Sequence, residues 1–218
     1  MEELVELKEN ITSQRPDSWD RLPDIPLYMD QVVSYLTRQM VCFEEGDGLT
    51  SAMINNYIKD GLLARANGKK YGKEHLAYLT AISDLKQVLS VREMRTLVAI
   101  GKNVGTSQEQ YDYFCRVLDQ ALDQAAGQLN EEAEEEKLPG MVLTYALQSY
   151  AHGLVCRRLL EIMAQKSGCS DLLKGGKKKE HTGRARKPHV NVRGTDYLAS
   201  SKSPRQSFPI RRWENKWK

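Results

Sequence analysis

The sequence predicts an all-α protein: a winged helix-turn-helix, then a long antiparallel helical hairpin and a disordered basic tail. Three observations carry this. Apolar residues recur three and four apart along most of the chain, with almost no strand-like alternation. Residues that start and stop helices punctuate the pattern. After Lys174 the periodicity ceases, and Gly, Pro, Ser and basic residues take over.

The elements follow in order. Residues 1–13 make a short amphipathic helix, and Arg15 to Pro26, with Pro16, Pro23 and Pro26, must be extended. The first main helix runs from Asp30 to about Phe43 and buries Val33, Leu36 and Met40. Gly46 and Gly48 mark a turn over Glu44–Leu49. Thr50 caps a helix, SAMINNYIKD, that stops at Gly61. Asn67-Gly68 is a hairpin-turn dipeptide, and a helix follows from Lys73 to Leu89. Ser90 with Glu93, and Thr106 with Glu109, form capping boxes for the next two helices. The second of these is long and carries Tyr111, Phe114, Leu118, Leu122 and Leu129. The acid run Glu131–Glu136 is a solvated connector, and Pro139 opens the last long helix. That helix is apolar on most sides, which places His152 in a core and requires partners on more than one face. The two long helices are expected to pair. Four regions result: an N-terminal arm at 1–26, the winged helix-turn-helix at 27–105, the hairpin at 106–170 and the tail at 171–218.

With 218 residues, 40% of them hydrophobic and 28% charged, the chain is long enough for a packed domain with room for a small second one. The most apolar stretch, Met141–Cys156, is broken by Gln148, Ser149 and His152 and falls short of the ~20 residues a membrane span needs. The acidic start MEELVELKEN lacks the features of a signal peptide. A soluble cytoplasmic protein without membrane contact is expected.

Charge is unevenly distributed. Residues 175–218 hold 13 basic and 3 acidic residues, a net +10, while residues 1–174 hold 19 basic and 26 acidic, a net −7. A basic tail on an acidic body suits contact with a polyanion. Lys177, Lys178, Lys179, Arg184, Arg186 and Lys187 are its candidate nucleic-acid contacts, with Trp213 and Trp217 available for stacking. A merely solubilising tail is the alternative.

Enzyme chemistry finds little footing. The four cysteines form no CxxC pair and have no histidine at zinc-ligand spacing. Reduced thiols are expected, with a Cys156–Cys169 switch as the alternative. His75, His152, His181 and His189 have no partner spacing for catalysis, and neither a phosphate loop, GxGxxG nor GxSxG occurs. No cofactor and no metal are expected.

The informative stretch is Asp30–Leu97. A helix, a Gly-containing turn and a short second helix form the arrangement whose second helix can enter a DNA major groove. Met53, Ile54, Tyr57 and Ile58 make one face of that helix, leaving Ser51, Asn55, Asn56 and Lys59 outside. Asn can hydrogen-bond adenine N6 and N7 together, Ser serves several base edges, and Lys pairs with guanine or phosphate. An Asn pair mid-helix opposes helix propensity. Arg65, Asn67, Lys69, Lys70 and Tyr71 then form a basic loop placed as a wing, whose cations meet phosphates.

The run TSAMINNYIKDGLL, then KKY, then HLAYLTAISDLKQVLSVREM, resembles the DNA-binding half of MerR-like regulators. The matching features are Tyr57, Gly61-Leu62-Leu63, Tyr71, the helix Leu76–Leu89 and the step Leu89-Ser90-Val91-Arg92-Glu93-Met94. LPDIPLYMDQV with INNYIKDGLL is more closely similar to a Gram-positive bacterial family catalogued only as a domain of unknown function and grouped with MerR-like winged helices. The resemblance covers roughly residues 20–100. It implies sequence-specific binding of double-stranded DNA and transcriptional regulation by a homodimer. The chain departs from the MerR pattern in a longer turn, MVCFEEGDG, and in Asn55-Asn56-Tyr57 where those regulators carry Arg-Tyr-Tyr. It also lacks their metal-binding cysteine loop. The competing reading is a helical protein-interaction module that does not bind DNA; a third is RNA binding through the tail.

Overall fold

Three side-chain caps frame the molecule. Thr50 Oγ1 accepts from the Met53 amide at 3.2 Å. Ser90 and Glu93 exchange hydrogen bonds, as do Thr106 and Glu109, each glutamate accepting from the amide of the residue that caps it. These bonds occupy backbone donors that a helix start leaves open, and each cap contributes about 1 kcal/mol. The computed structural model describes residues 2–39, 48–101 and 105–173. Among them lie α1 (Glu2–Ser13), α2 (Met29–Thr37), α3 (Ser51–Lys59), α4 (Lys73–Leu85), α5 (Val91–Gly101), α6 (Ser107–Gln128), α7 (Leu138–Lys166) and the single turn α8 (Ser170–Leu173). Extended pairing among the described residues is limited to two isolated antiparallel bridges, Leu27 with Tyr71 and Asn67 with Lys70. The fold is all-helical, as the periodicity predicts.

The main core is built by α2, α3, α4 and the start of α5, with Leu22 from the arm and Tyr111 from α6. Leu36, Ile54, Leu76 and Leu79 are essentially inaccessible, and each such side chain contributes about 1.5–3 kcal/mol by leaving water. In α2 the buried positions are Val32, Tyr35 and Leu36; Leu36 is buried as expected, while Val32 and Tyr35 take the place expected of Val33. Val33 is only partly buried, and Met40 to Asp47 lie outside the described residues. A polar knot holds Tyr35 in place. Asp17 accepts from Tyr35 Oη and Gln39 Nε2, both at 3.0 Å, while its own amide donates to Gln39 Oε1 and its carbonyl accepts from Tyr111 Oη at 2.8 Å. One arm residue thereby ties α2 to α6. Helix α4 also ends earlier than expected, at Leu85, with turns to Leu89.

The expected pairing of the two long helices is seen only near their connection. Helix α6 packs mainly on α1 and α4, and α7 on α5 and α8. Near their connection Tyr145 Oη donates to the Ala125 carbonyl at 2.8 Å, and Leu4, Leu129 and Ala133 form a small second core. Arg15 bridges Asp119 and Asp123, holding α1 along α6. Asp119 and Asp123 stay on the exposed side of α6, where Arg15 reaches them from just beyond α1. Helix α7 is therefore anchored at its ends, through Met141 and Tyr145 and through Leu160 and Ala164. Its middle is uncovered. His152 is exposed there, not in a core.

Candidate nucleic-acid interface

Helix α3 has two faces, and burial decides which points out. Ile54 and Tyr57 are buried, Met53 and Ile58 partly so, while Ser51, Asn55, Asn56 and Lys59 are all exposed. Rolling the helix by one residue would bury amides in place of Ile54. That would cost about 2 kcal/mol in lost apolar burial, plus the desolvation of any unpaired amide.

The end of α3 is equally determined. Gly61 adopts φ +71°, the left-handed conformation that favours glycine. Its amide donates to the Ile58 carbonyl at 3.2 Å and the Leu62 amide to the Tyr57 carbonyl at 2.9 Å. This is the Schellman closure; it turns Leu62 and Leu63 into the core. From α5, Arg95 Nη1 donates to the Asp60 carbonyl at 3.3 Å, placing a cation at the negative end of the α3 dipole.

The loop that follows is a hairpin. Asn67 and Lys70 exchange backbone hydrogen bonds at 3.0 Å, and the two residues between them, Gly68 and Lys69, have φ of +56° and +68°. Positive φ at both central positions is the type I′ turn. The turn centre is thus Gly68-Lys69, one residue later than the Asn-Gly reading placed it. Arg65, Asn67, Lys69 and Lys70 are exposed, with Lys70 Nζ resting 5.0 Å from the Tyr28 ring centroid.

Tyr71 does not belong with them. It is 4% exposed and packed in the core, and its backbone pairs in both directions with Leu27. It anchors the loop from beneath, and its place among the contact residues is corrected. Burial raises its phenol pKa, as expected of a ring held away from water.

His75 lies on the wing side of its helix, and its role there as a brace of the hairpin was not foreseen from sequence. His75 Nδ1 accepts from the Gly72 amide, its Nε2 faces the Arg65 carbonyl, both at 3.3 Å, and its ring stands edge-on to Tyr71. With Nδ1 accepting, Nε2 carries the proton and donates to Arg65. One imidazole joins both sides of the loop to α4. The signal available was its position three residues after Gly72, the N3 site from which a side chain reaches back to the cap.

The structure brings Ser51, Asn55, Asn56 and Lys59 onto one outward face. It places the basic hairpin directly after α3, the two anchored in one core through Tyr57, Leu62, Leu63 and Tyr71. The tail candidates Lys177, Lys178, Lys179, Arg184, Arg186 and Lys187 lie outside the described residues. Cys115, Cys156 and Cys169 are free thiols, and no group of His, Cys, Asp or Glu among the described residues is arranged to hold a metal ion. No helix among them is long and apolar enough to cross a membrane.

No curated protein and no solved structure matches the chain. A protein-family profile described as "Domain of unknown function (DUF1836)" matches residues 17–114, somewhat under half of the chain. Its limits fall on the polar knot: Asp17 opens the matched stretch, and Tyr111, which donates to the Asp17 carbonyl, stands near its close.

Proposed function

We propose that the chain is a sequence-specific DNA-binding transcriptional regulator of MerR-like winged helix-turn-helix type. Its α3 lies in a major groove, and its basic hairpin rides on phosphates. The single observation that carries this reading is a capped helix holding two adjacent amides outward, immediately followed by a braced cationic turn. Asn55 and Asn56 offer paired donors and acceptors to adenine edges, with Ser51 and Lys59 flanking them. Arg65, Lys69 and Lys70 hold the backbone and read no sequence.

The test is selection of duplexes from a random pool by the full chain, followed by titration with selected and scrambled duplexes. A consensus should emerge, with Lys69→Ala weakening every duplex and lowering the salt slope by about one. Recovery of no consensus would refute the reading. The competing protein-interaction reading draws support from the net −7 of residues 1–174. It expects no duplex binding after removal of residues 175–218, whereas the regulator reading expects sequence preference to survive that deletion.

A further inference from the structure

Helices α5, α7 and α8 enclose a cleft that the nucleic-acid interface does not use. Gly168, at φ +67°, ends α7, and the Cys169 amide donates to the Ala164 carbonyl at 2.9 Å. This Schellman closure turns the chain back, so that α8 packs on both α7 and α5. The cleft they leave measures about 270 Å³. It is lined by Arg92 and Glu93 at the start of α5, by Arg157, Leu160 and Glu161 of α7, and by Leu173 of α8. Leu160 is buried and Leu173 half-buried, which gives the cleft an apolar side.

Its charged side chains are not equivalent. Glu93 is occupied: its carboxylate accepts from the Ser90 amide at 2.8 Å and from the Ser90 hydroxyl at 2.7 Å. Glu161 is occupied too, paired with Arg158 Nη1 at 2.7 Å. Arg92 and Arg157 have no ion-pair partner among the described residues. The Ser90 hydrogen bonds hold the Glu93 carboxyl below its ordinary pKa, and the charge of Arg157 adds to this without closing an ion pair. The Arg157 guanidinium folds back one turn over Gly153, its nitrogens 3.4 and 3.5 Å from where a Cβ would stand. A large side chain at that position would take its place.

These features select a ligand. A cation would meet two carboxylates already engaged and two guanidiniums that repel it. An anion meets two forked donors whose geometry suits a carboxylate. A bare inorganic anion would leave Leu160 and Leu173 unused. The volume, just below the roughly 300 Å³ at which ligand pockets usually start, keeps the molecule small. We propose that this cleft binds a small organic acid, with its carboxylate held by Arg92 and Arg157 and a short apolar body against Leu160 and Leu173. The bound acid bridges α5 and α7, and the site stands independently of DNA binding.

Isothermal titration of the full chain with benzoate tests this, with benzyl alcohol and inorganic phosphate as partial probes. Benzoate should bind saturably at roughly millimolar concentration, and each partial probe about 10-fold more weakly. Arg92→Gln and Arg157→Gln should each weaken benzoate by about 10-fold. Their helical circular dichroism should be unchanged, because both side chains are exposed. Arg116→Gln, which removes the same charge from α6, should leave binding as it was. Leu173→Ala should weaken benzoate by about 3-fold and leave phosphate unaffected. No saturable binding of benzoate overturns the site. So does binding that the Arg92 and Arg157 variants leave intact, or that Arg116→Gln lowers equally. Phosphate binding as tight as that of benzoate overturns the assigned ligand class.

Discussion

Ile54 and Leu147 are aliphatic residues near the middle of their helices, yet Ile54 is 0% exposed and Leu147 57%. Around Ile54 the chain satisfies itself: α2, α4 and the turn after α3 supply its neighbours, and the outer face of α3 is left mainly to Ser51, Asn55, Asn56 and Lys59. Around Leu147 it does not. Helix α7 is held at two ends and leaves its middle to water. The comparison teaches that apolar periodicity reports a demand for partners and not where they come from. In the front region the demand is met within the chain, so what remains outside is chemistry, namely amides and cations. In α7 the unmet demand is itself the outward-facing feature.

The largest expected effect breaks the front region. Ile54→Ala should lower unfolding stability by about 2–5 kcal/mol. Leu147→Ala, measured in protein dilute enough to be monomeric, should change it by less than about 0.5 kcal/mol. Denaturant titration of both variants checks the contrast, and equal losses would erase it.

How much of this was legible in the residues depends on range. Caps and stops were readable because their bonds span three or four residues: Thr50, Ser90, Thr106 and Gly61 act where the sequence places them. The outward face of α3 was readable because Ile54 and Tyr57 leave it little choice. Contacts across long separations were not. The knot joining Asp17 to Tyr35, Gln39 and Tyr111 reaches 94 residues along the chain, and Tyr35 was not among the residues expected to be buried. The brace at His75 and the burial of Tyr71 depend on a hairpin whose turn centre lay one residue from its expected place. Helices α6 and α7 touch near their connection through Tyr145 and Ala125, while the long-range packing of α6 is mainly on α1 and α4.

A partly buried carboxylate sharpens the comparison next. Burial pushes Asp84, in the last turn of α4, up to about 6 from an ordinary 3.8. Its protonated form is favoured in the folded state, so the unfolded chain loses the proton first. The contribution of Asp84 to stability should be greatest below about pH 4, fall as pH rises to about 6, and stay reduced above it. Asp84→Asn should flatten that fall and raise stability at pH 7 by on the order of 2 kcal/mol. Unfolding midpoints at pH 4, 5, 6 and 7 measure it; a wild-type profile that climbs through this range would contradict the assignment.

The smallest expected effect separates stability from binding at one residue. Lys69 holds φ +68°, strained for any residue with a Cβ. Lys69→Gly should stabilise by a few tenths to about 1 kcal/mol while weakening duplex binding through loss of the cation. Thermal melts and anisotropy titrations on the same preparation read the two together, and parallel movement would show the cation to be idle.

The central claim is that the outer face of α3 reads base edges. The most direct measurement is the ratio of affinities for a selected duplex and its scrambled counterpart, at one salt concentration, for the wild type, Asn55→Ala, Asn56→Ala and Lys69→Ala. The expected result is a ratio that collapses in the asparagine variants, by about 1–3 kcal/mol per lost base contact, and holds in Lys69→Ala as both affinities fall together. A ratio untouched by the asparagine substitutions would contradict the account.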